Sequence, residues 1–211
     1  MVDVTLSEEE QVEALKKWWK ENGKSVVGGV VLGLAAVFGW QYWNQHQQQV
    51  AGQASMLFEE MNQSLTQGNL DVAAKQAEAI SASFDGSAYD TFATLALARV
   101  KLEQGDQDAA TALLRRVVEK GNTPSLQQIA RLRLGRILVS AGDTDGAAAV
   151  VDAAPDDSFR GEFKALAGDI ALARGDQAAA RDAYLEALAA GVGNTALVRI
   201  KLEDLAPAEG A

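Results

Sequence analysis

The side chains best able to do chemistry are few and scattered. Asp143-Thr144-Asp145-Gly146 has the opening of a calcium loop, but the bidentate acid that such a loop needs at its twelfth position is Ala154. These carboxylates read instead as helix caps. His46 is the only histidine, so a histidine metal site lacks a second imidazole and the residue reads as an interface histidine. There is no cysteine, which removes thiolate nucleophiles, disulfides, iron-sulfur clusters and thiolate zinc sites. No Gly-rich phosphate loop, histidine metal motif or serine nucleophile elbow occurs, and paired carboxylates such as Asp106 with Asp108 fall at solvated helix starts. The expectation is a protein with no catalytic residue, no cofactor and no metal. Its 29 acidic against 19 basic residues, a net charge of −10, oppose nucleic-acid binding, because neutralising phosphates requires clustered Lys and Arg.

Function must then come from surfaces, and the elements that carry them are helical. Proline is scarce, at three residues, while alanine, the best helix former, is abundant. From Ser25 to Trp43 no residue is charged, and Val26–Trp40 is a run without a strongly polar side chain. At 1.5 Å per residue, such a helix reaches roughly 28 Å, about the hydrocarbon thickness of a bilayer. Trp40, Tyr42 and Trp43 close it with rings that favour the headgroup zone. Signal cleavage needs small residues after the apolar core, and Trp-Gln-Tyr-Trp-Asn stands there instead, so the segment reads as an uncleaved anchor. Lys16, Lys17, Lys20 and Lys24 precede the span and the next basic residue is Lys75, which predicts a cytoplasmic N-terminus and, in a Gram-negative cell, a periplasmic C-terminal domain. Absence of cysteine suits that oxidising space. Within the span Ser25, Gly29, Gly33 and Ala36 form a strip of small residues where another membrane helix could approach closely, either a second copy of the chain or a larger complex.

Beyond the span, Val50, Ala54, Leu57, Met61 and Leu65 keep helical spacing, so the membrane helix is expected to run on into the domain. A repeat follows. Gln67-Gly68-Asn69, Gln104-Gly105-Asp106, Ala141-Gly142-Asp143 and Arg174-Gly175-Asp176 mark turns separated by 37, 37 and 33 residues. Five residues after each glycine stands Ala73, Ala110, Ala147 or Ala180, and seven before it stands Ala98, Gly135 or Gly168, with Met61 the exception. Glycine accepts the left-handed conformation that ends one helix, and the following Asp caps the next. A helix pair cannot bury its apolar faces alone, so pairs stack, and a period near 34 residues points to tetratricopeptide repeats. Leu97, Leu134, Tyr184 and Ala187 fit that pattern, while Ala77, Leu114 and Val151 replace its later aromatic. Pro155-Asp156-Asp157 should shorten the third unit's second helix, and Thr195–Leu205 should form a capping helix.

The expected architecture is all-α: residues 1–24 cytoplasmic, a transmembrane helix over 25–43, a periplasmic solenoid of about three and a half repeats over 44–206, and a frayed tail over 207–211. In this register the inner face takes Phe92, Leu95, Arg99 and Leu102 from one unit and Ile129, Leu132, Arg136 and Val139 from the next. Of these, Phe92, Leu95, Arg99, Ile129, Leu132 and Arg136 are the candidate protein-binding groove. An apolar strip beside two arginines suits an extended, partly hydrophobic chain better than the lysine and asparagine clamp used for acidic C-terminal tails. The same apolar residues could equally pack between helices.

The N-terminal region resembles the ancillary subunit family of the bacterial Sec translocon. Gln11-Val12-Glu13-Ala14, Glu21-Asn22-Gly23-Lys24, Gly39-Trp40-Gln41-Tyr42-Trp43-Asn44 and His46-Gln47 carry the resemblance, which continues through the repeats to Arg199-Ile200-Lys201-Leu202. It implies an inner-membrane protein without catalytic residues that associates with translocon subunits and with a membrane-anchored periplasmic chaperone of the prolyl-isomerase type, and that handles unfolded or translocating envelope proteins. Two other readings stay open: a structural scaffold for another envelope complex, and a membrane-anchored regulator of envelope stress signalling.

Overall fold

The structure is a computed structural model that describes residues 8–154 and 159–205; the proposed break at Pro155-Asp156-Asp157 and the proposed tail from Pro207 lie outside the described residues. Among the described residues there are helices and no strands: α1 (Glu8–Thr66), α2 (Leu70–Ser83), α3 (Ala88–Glu103), α4 (Gln107–Lys120), α5 (Pro124–Ser140), α6 (Thr144–Asp152), α7 (Arg160–Ala173), α8 (Gln177–Ala190) and α9 (Thr195–Asp204). The chain divides into two units, one ending at Gln53 and the other beginning at Ala54.

The first unit is the long N-terminal part of α1. Val27, Val30, Leu32 and Trp40, which point to different sides of the helix, are exposed at 52–73%. An apolar helix with no polar face and no protein packed against it needs an apolar solvent.

From α2 to α9 each helix packs against the next in sequence, and α5 also meets α7. The joints follow one design. Gly68, Gly105, Gly142 and Gly175 have φ between 75° and 82°, a conformation that costs glycine little and other residues more. There the amides of Asn69, Asp106, Asp143 and Asp176 turn back to carbonyls five residues earlier, at 2.8–2.9 Å. The Asp side chains then accept from Ala109, Gly146 and Ala179 amides, at 2.9–3.1 Å, and start α4, α6 and α8. Asn69 departs from this pattern: its side chain caps nothing and donates instead to Gln67.

The small residues sit where helices touch. Ala73, Ala110, Ala147 and Ala180 are buried to within 1%. A Cβ on Gly135 would stand 2.5 Å from Leu166 of the next unit, and one on Gly168 would clash with the Tyr184 ring. Met61, the exception in the small-residue series, is itself fully buried, in a cluster with Ala77, Ile80, Leu97 and Val100. The middle cluster joins Leu114, Ala130, Leu134 and Leu166, and the last joins Tyr184, Ala187 and Val198. Tyr184 donates to Asp169 at 2.6 Å and Lys201 donates to the same oxygen, so one carboxylate ties α7, α8 and α9 together. This holds α9 over the last pair as a cap. The second helix of the third unit ends at Asp152 after 9 residues, against 14 in α2, α4 and α8.

Candidate protein-binding groove and membrane helix

Helices α3 and α5, the first helices of successive units, flank a cavity of about 340 Å³. Leu95 and Ala98 on α3, Leu114 on α4 and Ile137 on α5 form apolar walls. Leu102 stands at the rim, 45% exposed. Arg99, Arg133, Arg136 and Ser140 complete the lining. Arg99 is paired with Glu103 at 2.7 Å, one turn along the same exposed face. Burial, and then the positive charges of Arg136 and Arg99, hold Arg133 below the ordinary arginine value.

Of the six groove residues expected from the repeat register, Leu95, Arg99 and Arg136 line this cavity, and Phe92, Ile129 and Leu132 do not. Leu132 is turned into the middle core and is 5% exposed. Phe92 stacks 5.9 Å from the Phe58 ring, which lies as close to Tyr89. Ile129 is half-buried outside the lining. Arg133 and Ile137, one and five residues beyond Leu132, take the inward places that register reasoning had given to Ile129 and Leu132. Arg133 was legible only as the middle arginine in the run Arg131, Arg133, Arg136.

In the membrane helix, Ser25, Gly29, Gly33 and Ala36 recur at helical spacing and are exposed; a Cβ on either glycine would meet open space. The strip is bare in the single chain. Trp18 and Trp19, which the sequence reading passed over, add exposed rings 6.4 Å apart before the span, and Trp19 lies over Gly23. From Trp19 to Trp40 the helix runs about 32 Å at 1.5 Å per residue, so aromatic rings stand at both ends of the apolar stretch.

The other candidate groups have structural partners. Asp143 caps α6, Asp145 pairs with Arg174 at 2.6 Å, and Asp106 caps α4. Among the described residues no cluster of three or more His, Cys, Asp or Glu side chains is arranged to hold a metal. Asp90, 6% exposed, is neutralised by Arg116 and accepts from Thr94. His46 is exposed on α1.

One apolar span and a stack of capped helix pairs define a membrane-anchored helical-repeat protein, a class that acts by holding other proteins. The tetratricopeptide repeat-like domain family matches residues 16–207. Ancillary SecYEG translocon subunits of Haemophilus influenzae and Aggregatibacter actinomycetemcomitans are 32% and 31% identical, over 89% and 95% of this chain and 91% and 98% of theirs. The protein of that name from Escherichia coli is 28% identical over 87% of this chain and 88% of its own. The chain belongs to this tetratricopeptide repeat-like family of ancillary SecYEG translocon subunits.

Proposed function

We propose that this protein is a non-catalytic, protein-binding subunit of the inner membrane that associates with the Sec translocon and helps to handle envelope proteins as they emerge. Residues 1–24 lie in the cytoplasm, 25–43 cross the bilayer, and 44–206 face the periplasm. Lysines confined to the near side of the span support that orientation. A membrane-anchored prolyl-isomerase-type chaperone and unfolded or translocating chains are the periplasmic partners. The observation that carries the reading is the union, in one chain, of a lipid-ready span and a repeat domain, matched over 89% and 95% of its length by relatives bearing the translocon name.

In this reading the span docks through Ser25, Gly29, Gly33 and Ala36, and the groove between α3 and α5 receives clients. Photo-crosslinking from residues 26–33 in intact membranes tests it. Capture of translocon subunits is the expected result, and capture of unrelated envelope machinery alone would overturn it. For the groove, replacing Arg99 and Arg136 with glutamate should reduce crosslinking to a translocating chain without lowering helicity, because exposed charge changes usually move stability by only about 0.5 kcal/mol.

A further inference from the structure

The groove between α3 and α5 combines two features that select different parts of one ligand. Its floor is apolar: Leu95, Leu114 and Ile137 are 6%, 2% and 7% exposed, yet all three reach the cavity. The cavity's 340 Å³ is at the small end of the roughly 300–1,000 Å³ of pockets that take small ligands, which suits one or two side chains.

Its edge is cationic without compensation. No acidic residue lines the cavity. Glu103 satisfies Arg99, but Arg133 and Arg136 form no ion pair among the described residues. This occurs in a chain with a net charge of −10, where acids to pair with are plentiful. The positive charges of Arg136 and Arg99 repel Arg133 and add to burial, the larger cause, in holding it below the ordinary arginine value. A ligand bringing carboxylates to Arg133 and Arg136 would relieve that repulsion and form charge-assisted, two-pronged hydrogen bonds.

We propose that this groove binds an internal, extended segment in which an aliphatic or aromatic side chain is flanked by acidic residues two positions to either side. The apolar side chain enters between Leu95, Leu114 and Ile137, and the acids meet Arg133 and Arg136. In an extended chain, residues i and i±2 share a face and lie about 7 Å apart, so one face can offer both chemistries. Each of the two uncompensated arginines can take a carboxylate, and acidic side chains within the segment supply one for each. The inference rests on the domain being the protein-binding part, and it adds which chain chemistry is bound.

The test uses the full chain in detergent micelles and fluorescent peptides with amidated C-termini. The acid-x-Leu-x-acid peptide should bind at least tenfold more tightly than its Asn/Gln counterpart, and added salt should weaken it. Arg133→Gln with Arg136→Gln should remove that tenfold preference. Arg133→Glu with Arg136→Glu should turn the preference toward a Lys-x-Leu-x-Lys peptide, a gain that unfolding cannot produce. Leu102→Ser should weaken both peptides alike by several-fold. Equal binding of the acidic and amide peptides, binding confined to peptides with a free terminal carboxylate, or unaltered selectivity in the Glu double variant would each overturn the assignment. Crosslinking from residues 26–33 reads the translocon association separately, so its persistence alongside a failed peptide test would reject the groove chemistry alone.

Discussion

Gly168 is where the packing of α7 on α8 is least forgiving, and Gly168→Val measures it. A Cβ at this position would clash with the Tyr184 ring, within 3.0 Å of three of its carbon atoms. The ring cannot swing away freely, because it is fully buried and its hydroxyl is held by Asp169, which also binds Lys201. Overpacking of this kind costs typically 1–3 kcal/mol, while replacing a helical glycine returns a few tenths of a kcal/mol of backbone propensity. The net expectation is a loss of about 2 kcal/mol. At about 2–4 °C per kcal/mol for a chain of this size, the melting temperature should fall by roughly 4–8 °C, followed by circular dichroism of the full chain in detergent. Gly52→Val, where an added Cβ meets nothing within 4 Å, is the matched control and should stay within about 0.5 kcal/mol. Tyr184→Leu should give back part of the loss, so that Gly168→Val and Tyr184→Leu together cost less than the sum of the two. A Gly168→Val protein that melts like wild type, or a strictly additive pair, would refute the view that these two side chains are in close contact.

Tyr184 also makes the domain alkali-sensitive. Burial and then the bonded Asp169 carboxylate raise its phenol above the usual tyrosine value, so the fold favours the neutral ring; that contribution is complete below the unfolded value near pH 10 and is lost as pH rises through the folded one, and melting curves should fall more steeply above about pH 10 for wild type than for Tyr184→Phe. Asp143→Ala removes the carboxylate that caps α6 and should cost about 1 kcal/mol in chemical unfolding. Gly29→Leu with Gly33→Leu should reduce copurification with the membrane partner while leaving insertion intact, because bulk blocks a close helix contact; undiminished copurification would move the contact to the repeat domain. Protease added to intact spheroplasts should digest the domain from outside, and protection until lysis would reverse the proposed orientation.

What the sequence determined by itself was local and periodic. An uncharged stretch from Ser25 to Trp43 declares its solvent without reference to any fold, since each charge in hydrocarbon is costly. The turns at Gly68, Gly105, Gly142 and Gly175 were equally legible, because a left-handed helix end and an Asp cap are decided within six residues. The small residues at Ala98, Gly135 and Gly168 announced close helix contacts, though not the Leu166 and Tyr184 side chains that fill the space they leave. Only the tertiary structure decided which side of each helix is core and which is groove. Successive helix positions differ by about 100°, so a small rotation of one unit on the next exchanges neighbours across that border. This is why Leu132 points into the core while Arg133 and Ile137 line the cavity, and why Phe92 meets Phe58 outside that lining. The same reason governs the arginines. Arg99 and Arg136 are a repeat apart in sequence, and it is the stacking of α5 beside α3 that brings them, with Arg133, around one apolar floor.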